Sequence, residues 1–185
     1  VLLQQWGVTP NGLTTFGLLI NLTAAYFVLR GQLAFGAIFL LCGGFVDLLD
    51  GTLARLADTS TKFGMYWDSV ADKISEAVFY IALIVNFVTS YNYFGVLFAL
   101  FAMAGSWLVT YTGTSAEKLR IKVESEFLLQ PERIIILAIT LIFGRATFGL
   151  AVVAMLTIGT VIWRTLGIYR HFQLKTMVDK KQKKN

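Results

Sequence analysis

The stretch DLLDGTLAR at residues 47–55, followed by GMYWDSVAD at residues 64–72, decides the fold of this chain. Each half carries two aspartates three or four residues apart, and residues at that spacing share one face of an α-helix. The four residues are Asp47, Asp50, Asp68 and Asp72. Because apolar sequence flanks both halves, we expect two antiparallel helices whose adjoining ends bring the four carboxylates together.

The composition places these carboxylates in a membrane protein. Of the 185 residues, 56% are hydrophobic and only 15% are charged, whereas soluble domains carry about 25% charged residues. A chain of this size cannot hide so much apolar surface inside one core. A soluble enzyme, a disordered chain and a nucleic-acid-binding module are therefore excluded. With Cys42 as the single cysteine, no intrachain disulfide can form.

Six apolar segments come close to the roughly 20 residues that a membrane-spanning helix needs. They are predicted at 12–29, 33–55, 66–88, 94–113, 131–144 and 147–168. The expected fold class is an all-α polytopic membrane protein with six transmembrane helices. We expect residues 1–185 to form a single domain, and the abrupt start at Val1 leaves room for a soluble domain upstream.

Lysine and arginine predict the orientation of the helices. The connections between the predicted spans fall alternately on the two sides of the membrane. On one side they hold only two basic residues, Arg30 and Arg145. The richer set holds Lys62, Lys118, Arg120, Lys122 and the tail from Arg164 through Lys184. The positive-inside rule places both termini and the aspartate-rich helix ends on the cytoplasmic side of the cell membrane. The net charge of +5 reflects these basic ends, and we expect no nucleic-acid partner.

Carboxylates within a membrane helix point to bound metal. Each costs about 2.5–3.5 kcal/mol at the helix centre, and several close together repel one another unless a cation neutralises them. Oxygen ligands without cysteine or histidine suit a hard cation such as Mg²⁺ or Mn²⁺. Four carboxylates can hold two ions, an arrangement that serves phosphoryl transfer.

The full segment is Asp47-x2-Asp50-Gly51-x2-Ala54-Arg55-x8-Gly64-x3-Asp68-x3-Asp72. It resembles the signature of the CDP-alcohol phosphotransferase family, with every position and gap matched, and the six-helix layout extends the resemblance over nearly the whole chain. The resemblance implies an enzyme of phospholipid biosynthesis. Such an enzyme transfers the phosphoryl-alcohol part of a CDP-linked lipid to an acceptor alcohol and releases CMP.

The resemblance also implies a role for each aspartate. Asp47 would bridge two Mg²⁺ or Mn²⁺ ions, and Asp50 would hold the first. Asp68 would contact both ions. Asp72 would bind the second ion and act as general base on the acceptor hydroxyl.

Further positions match those that contact the CDP-linked lipid in the family. They are Thr9, Pro10, Asn11, Gly12, Gly51, Ala54, Arg55, Thr61 and Gly64. The expected partners are this lipid, the acceptor alcohol, the bilayer and a second copy of the chain in a homodimer.

The acceptor side is locally most similar to the inositol-phosphate-type synthases. Three of the basic positions that would grip an acceptor phosphate there are Gly113, Ser115 and Gln130 here, whereas Arg133 remains. The acceptor therefore stays open between inositol phosphate, glycerol phosphate and a smaller polar alcohol. The candidate acceptor-binding residues are Arg133, Tyr111 and Lys118.

Two questions stay open at this level. Arg133 needs an anionic partner, which is either the acceptor or a structural pair with Glu132 or Glu117. Clustered carboxylates also occur in Asp-rich membrane prenyltransferases and in divalent-cation transporters. The prenyltransferases do not need Gly51, Ala54-Arg55 and Gly64 at this spacing. Transporters often have repeated halves, but the second half of this chain has no matching acidic pair.

Overall fold

The computed structural model describes residues 9–56, 61–121 and 130–182 and is entirely helical within them. The side chains of Pro10 and of residues 50–56 and 174–182 lie outside the described residues. The helices are α1 (Pro10–Leu29), α2 (Leu33–Leu56), α3 (Lys62–Thr89), α4 (Tyr93–Lys118), α5 (Gln130–Ile142) and α6 (Ala146–Gln182). The all-α fold class is thus confirmed.

Within the described residues, three helices are long and apolar enough to cross a membrane, namely α1, α4 and α6 over Asn11–Leu29, Tyr93–Lys118 and Ala146–Gln173. Helix α5 has 13 residues, which gives a length of about 20 Å. Helix α6 has 37 residues and continues beyond the predicted end of the last span at residue 168. The count of six spans therefore stays a prediction.

Local sequence chemistry explains where the helices begin and turn. Thr9 and Thr61 cap α1 and α3, because each hydroxyl accepts a hydrogen bond from the backbone N–H three residues later. In the turns that follow α1 and α5, Gly31 and Gly144 have φ angles of +75° and +67°. Only glycine adopts this backbone conformation without strain, so these turns are tight and the flanking helices are antiparallel neighbours.

The six helices close into a ring. Helix α1 packs against α2 and α3, α4 packs against α3 and α6, and α5 packs against α2 and α6. Small residues lie at the contacts: Ala24, Ala99 and Ala138 are fully buried, which lets the helices approach closely. We call the motif end the end of the ring at which α1, α3 and α5 begin and α2 and α4 end.

Candidate active site

Three of the four signature aspartates meet at the motif end. Asp47 on α2 and Asp68 and Asp72 on α3 each offer a carboxylate oxygen, and these oxygens all lie within 4.8 Å of one another. All three residues are half-buried. The side chain of Asp50 lies outside the described residues, so the structure brings together three of the four residues that the sequence grouped.

The arrangement of these carboxylates fits a divalent cation. Two unit charges 4 Å apart repel by about 4 kcal/mol at the effective dielectric constant near a protein surface. Three such groups within 4.8 Å of one another therefore favour a bound cation. The donor set is made of carboxylate oxygens, which are the ligands that Mg²⁺ and Mn²⁺ prefer.

The beginnings of α1 and α3 lie beside each other at the same end. A Cβ atom added at Gly64 would lie only 2.8 Å from Oδ1 of Asn11. Trp67 Nε1 donates a hydrogen bond to Thr15 Oγ1 at 3.1 Å, which joins the two helices one turn further in. The predicted lipid-contacting residues on these helices, Thr9, Asn11, Gly12, Thr61 and Gly64, therefore form one group. Those on α2, Gly51, Ala54 and Arg55, have side chains outside the described residues, as does Pro10.

A cavity of about 50 Å³ opens beside the carboxylates, between α1, α2, α3 and α5. Asp47 and Asp72 line it together with Arg133 and Gln130, both near the start of α5. Gln130 and Asp72 thus lie on the wall of the same cavity, although they belong to different helices. The walls deeper in the bundle are mostly apolar and include Leu40, Phe79 and Leu137. The cavity is thus polar beside the carboxylates and apolar beyond them.

Arg133 is the buried cation of this cavity, with only 4% of its surface exposed. Its Nη2 lies 3.8 Å from Oε1 of Glu76 on α3, and its Nη1 donates to the backbone carbonyl of Ser106 on α4 at 3.5 Å. The carboxylate beside Arg133 is therefore Glu76, and not Glu132 or Glu117, the two that the sequence offered as an alternative to the acceptor. Both of those carboxylates are exposed, because they face away from the helix contacts that bury Arg133.

Glu76 has a second and closer partner. Its Oε2 accepts a hydrogen bond from Lys73 Nζ at 2.7 Å, and the same ammonium donates to Thr110 Oγ1 on α4 at 3.0 Å. The side chains of Lys73 and Glu76 are 31% and 14% exposed. Glu76 lies one helical turn after Asp72 on α3, and its contact with Arg133 depends on how α3 and α5 pack.

The other two candidate acceptor residues lie away from the cavity wall. Tyr111 is 69% exposed, and Lys118 is exposed at the end of α4. Near them, Arg164 of α6 donates from Nη1 to the backbone carbonyl of Val109 at 2.8 Å. The same nitrogen would lie 3.0 Å from a Cβ at Gly113, so a guanidinium occupies the space beside this glycine.

Asn21 is a cavity residue that sequence reasoning missed. Asn21, about half-way along α1, lines the cavity, and its Oδ1 is buried without a hydrogen-bond partner in the part of the chain that the structure describes. A Cβ at Gly43 of α2 would collide with this amide. The available signal was an amide side chain in the middle of an otherwise apolar segment.

Comparison with known proteins decides the family. The model of the CDP-alcohol phosphatidyltransferase family matches residues 7–169. The chain belongs to this family. It is therefore a transferase and a membrane protein of phospholipid biosynthesis, which argues against the prenyltransferase and the cation transporter left open above.

Relatives of this chain include inositol phosphate synthases. The chain is 34% identical over 168 residues to the archaetidylinositol phosphate synthase of Pyrococcus horikoshii, covering 88% of this chain and 84% of the relative. It is 26% identical over 144 residues to the phosphatidylinositol phosphate synthase of Mycobacteroides abscessus, covering 77% and 66%. These names agree with the local similarity of the acceptor side to the inositol-phosphate-type synthases, which the residues around Arg133 indicate.

Solved structures share the fold. The phosphatidylinositol phosphate synthase of Mycobacterium tuberculosis in complex with manganese and citrate superposes with a TM-score of 0.80 at 23% identity, covering 90% of this chain and 85% of that one. The same enzyme with CDP-DAG bound superposes with a TM-score of 0.77, covering 88% and 87%. This likeness supports the six-helix arrangement.

Proposed function

We propose that this member of the CDP-alcohol phosphatidyltransferase family transfers the phosphoryl-alcohol part of a CDP-linked lipid to an alcohol that carries a phosphate, with inositol phosphate as the first candidate. One observation carries the proposal: the carboxylate cluster opens into a cavity whose wall holds a buried arginine, Arg133. Relatives of this chain include archaetidylinositol and phosphatidylinositol phosphate synthases, which supports the choice of acceptor.

The aspartates divide the work around two divalent ions, Mg²⁺ or Mn²⁺. Asp47, Asp50 and Asp68 hold the metal ions, which when bound neutralise the pyrophosphate of the donor and stabilise the CMP leaving group. A manganese-bound structure of the Mycobacterium tuberculosis enzyme is consistent with this use of the cluster. Asp72 serves as a metal ligand and as the general base. It is suited to the second role because it lines the cavity in which an acceptor would sit.

The donor lipid binds at the motif end. The capped beginnings of α1 and α3 present backbone N–H groups there, and helix N-termini attract phosphate groups. Thr9, Asn11, Gly12, Thr61 and Gly64 lie in this region, and we assign Pro10, Gly51, Ala54 and Arg55 to the same donor site by their place in the signature. The Mycobacterium tuberculosis enzyme has been solved with CDP-DAG bound, a donor of the same chemical kind.

Arg133 holds the acceptor by its anionic group. A guanidinium has five N–H donors, and the two contacts that the structure gives Arg133 are long, at 3.5 Å and 3.8 Å. A phosphate offers shorter, bidentate hydrogen bonds to the same group. Tyr111 and Lys118 are exposed at the same end of α4 and serve as outer contacts during acceptor entry.

The membrane arrangement follows the charge pattern of the sequence. We assign all six helices to the bilayer, both termini and the active site to the cytoplasmic side, and the working unit to a homodimer. This arrangement gives the site access to a lipid donor from the bilayer and to a water-soluble acceptor from the cytoplasm.

An acceptor screen tests the proposal. The purified protein is given labelled CDP-diacylglycerol with Mg²⁺ and, separately, inositol 1-phosphate, glycerol 3-phosphate, inositol and glycerol, and the products are identified by mass. We expect products with phosphorylated acceptors and far less with the two unphosphorylated ones. Equal use of inositol and inositol 1-phosphate would contradict the assigned role of Arg133.

A further inference from the structure

Glu76 lies one helical turn after Asp72 on α3, outside the aspartate signature. Its side chain is 14% exposed, and its two oxygens contact different cations on either side. Oε2 accepts a hydrogen bond from Lys73 at 2.7 Å, and Oε1 faces Arg133 at 3.8 Å. A single carboxylate thus connects the helix of the proposed general base to the helix of the proposed acceptor ligand.

The charges of this group do not balance. Apart from the carboxylates assigned to the metal cluster, Lys73, Glu76 and Arg133 carry a net charge of +1, and Lys73 takes the larger share of the Glu76 carboxylate because it lies closer. A buried positive charge is unfavourable without an anion nearby. Part of the positive charge of Arg133 therefore stays available to an anion in the cavity that this residue lines.

The side chains of Lys73 and Arg133 are also fixed by different partners. Lys73 donates to Thr110 on α4 in addition to Glu76, which keeps the ammonium on the α4 side of α3. The Arg133 guanidinium is held between Glu76 and the carbonyl of Ser106, so its position depends on two helices other than its own. Ser106 is itself fully buried beside the Tyr80 hydroxyl, with 3.5 Å between the two oxygens.

We propose that Glu76 is a positioning residue for the acceptor. It fixes the guanidinium of Arg133 at the cavity wall, while Lys73 prevents the carboxylate from neutralising that guanidinium. An anionic acceptor then meets a cation that is already oriented and only partly paired, so less ordering is needed on binding. This inference rests on the proposed function, because it assumes that Arg133 binds the anionic group of the acceptor.

The test compares steady-state constants for both substrates, with inositol 1-phosphate as the acceptor probe and CDP-diacylglycerol as the donor. We expect Glu76→Gln to raise the KM for the acceptor about tenfold or more, with a smaller change in kcat and less than a twofold change in the KM for the donor. Glu132→Gln is the matched control, because Glu132 precedes Arg133 on α5 but is exposed. The Glu132→Gln variant should leave the KM values for the acceptor and for the donor unchanged.

A second variant keeps the carboxylate in place. Lys73→Met removes the closer cation, so that Glu76 is free to pair fully with Arg133 and compete with the acceptor. The acceptor KM should again rise while the donor KM stays nearly constant. A merely structural network would instead lower thermal stability and affect both substrates to a similar degree, which would overturn the proposal.

A double variant separates this inference from the function on which it rests. In an Arg133→Ala background, Glu76→Gln should cause no further rise in the acceptor KM, because the residue that Glu76 positions is gone. An additional rise of equal size would overturn the positioning role while leaving the proposed acceptor class intact. Absence of wild-type turnover with every phosphorylated alcohol would overturn the acceptor class and this inference with it.

Discussion

At the scale of single residues, Asp47 and Asp72 have similar burial but different surroundings. Both contribute to the cluster of three carboxylates and both line the cavity. Asp72 also lies one helical turn before Glu76 on α3, on the side where the acceptor is proposed to bind. The two positions should therefore separate metal-dependent donor binding from proton removal.

Asparagine at these two positions provides the first prediction. Asp72→Asn should lower kcat by at least about 100-fold, since general-base catalysis contributes that much, while donor affinity changes little. Asp47→Asn should lower kcat and should also weaken binding of the CDP-linked lipid. Titration calorimetry with the donor in the presence of Mg²⁺ distinguishes the two. Equal loss of donor affinity in both variants would contradict the separate roles.

The unpartnered amide of Asn21 leads to a second prediction. A buried polar atom without a hydrogen bond costs about 1–3 kcal/mol, and Oδ1 of Asn21 is such an atom among the described residues. Asn21→Leu should raise the free energy of unfolding by about 1 kcal/mol, measured by thermal unfolding in detergent.

Asn86→Leu is the matched control for this change. Its Nδ2 donates to the carbonyl of Val28 at 3.2 Å, so the same replacement there removes a satisfied hydrogen bond, and the carbonyl keeps only the bond from the Gly31 N–H. Asn86→Leu should therefore lower stability. The account of Asn21 fails if both variants are destabilised to the same extent.

Residue patterns predict the aspartate cluster because helical spacing alone sets which carboxylates share a face. They do not predict the partner of Arg133. Glu132 and Glu117 lie nearer to Arg133 in the sequence than Glu76 does, but the actual partner depends on α3, α4 and α5 meeting around one guanidinium. Asn21 was missed for the same reason, since burial of its oxygen depends on the packing of α1 against α2.

At the scale of elements, the beginnings of α1 and α3 form one structural unit. Thr9 and Thr61 cap the two helices, and Asn11 lies against Gly64. The sequence indicates both starting points well, because a threonine followed three residues later by glycine precedes each apolar segment. That the two starts touch is a property of the packing.

Gly64→Ala is the prediction at this scale. The added methyl group would lie 2.8 Å from Oδ1 of Asn11 and 3.1 Å from Oγ1 of Thr61, so Asn11 must move. The KM for the CDP-linked lipid should rise several-fold, with little change in the KM for the acceptor. Gly159→Ala in α6 is the control, because nothing lies within 4 Å of its added methyl group. That variant should be as active as the parent and slightly more stable.

At the scale of the whole molecule, the helix order and the antiparallel turns agree with the sequence, whereas the helix lengths do not agree everywhere. Helix α5 is shorter than a standard span, and α6 continues well past residue 168. Hydropathy marks where apolar sequence stops, but an α-helix can continue into polar sequence as long as its backbone hydrogen bonds are satisfied. The closed ring of six helices is not readable from the sequence, since it depends on contacts between helices distant in the chain.

Orientation in the membrane is predicted from the distribution of basic residues and can be checked by cysteine labelling. In a Cys42→Ser background, single cysteines are placed at Lys118, at the motif end, and at Tyr91, in the turn between α3 and α4. Both positions are exposed. A membrane-impermeant maleimide added to intact cells should label the cysteine at position 91 and leave that at position 118 unlabelled. The reverse pattern would place the active site outside the cell.

The central claim is that the carboxylate cluster at the motif end catalyses transfer from a CDP-linked lipid with the help of divalent metal. Its most direct test is CMP release from CDP-diacylglycerol by the purified protein, measured with and without inositol 1-phosphate. We predict release that requires the acceptor, stops on addition of EDTA, returns with Mg²⁺ or Mn²⁺, and is abolished by Asp68→Asn. Undiminished CMP release in metal-free buffer, or from the Asp68→Asn variant, would contradict the account.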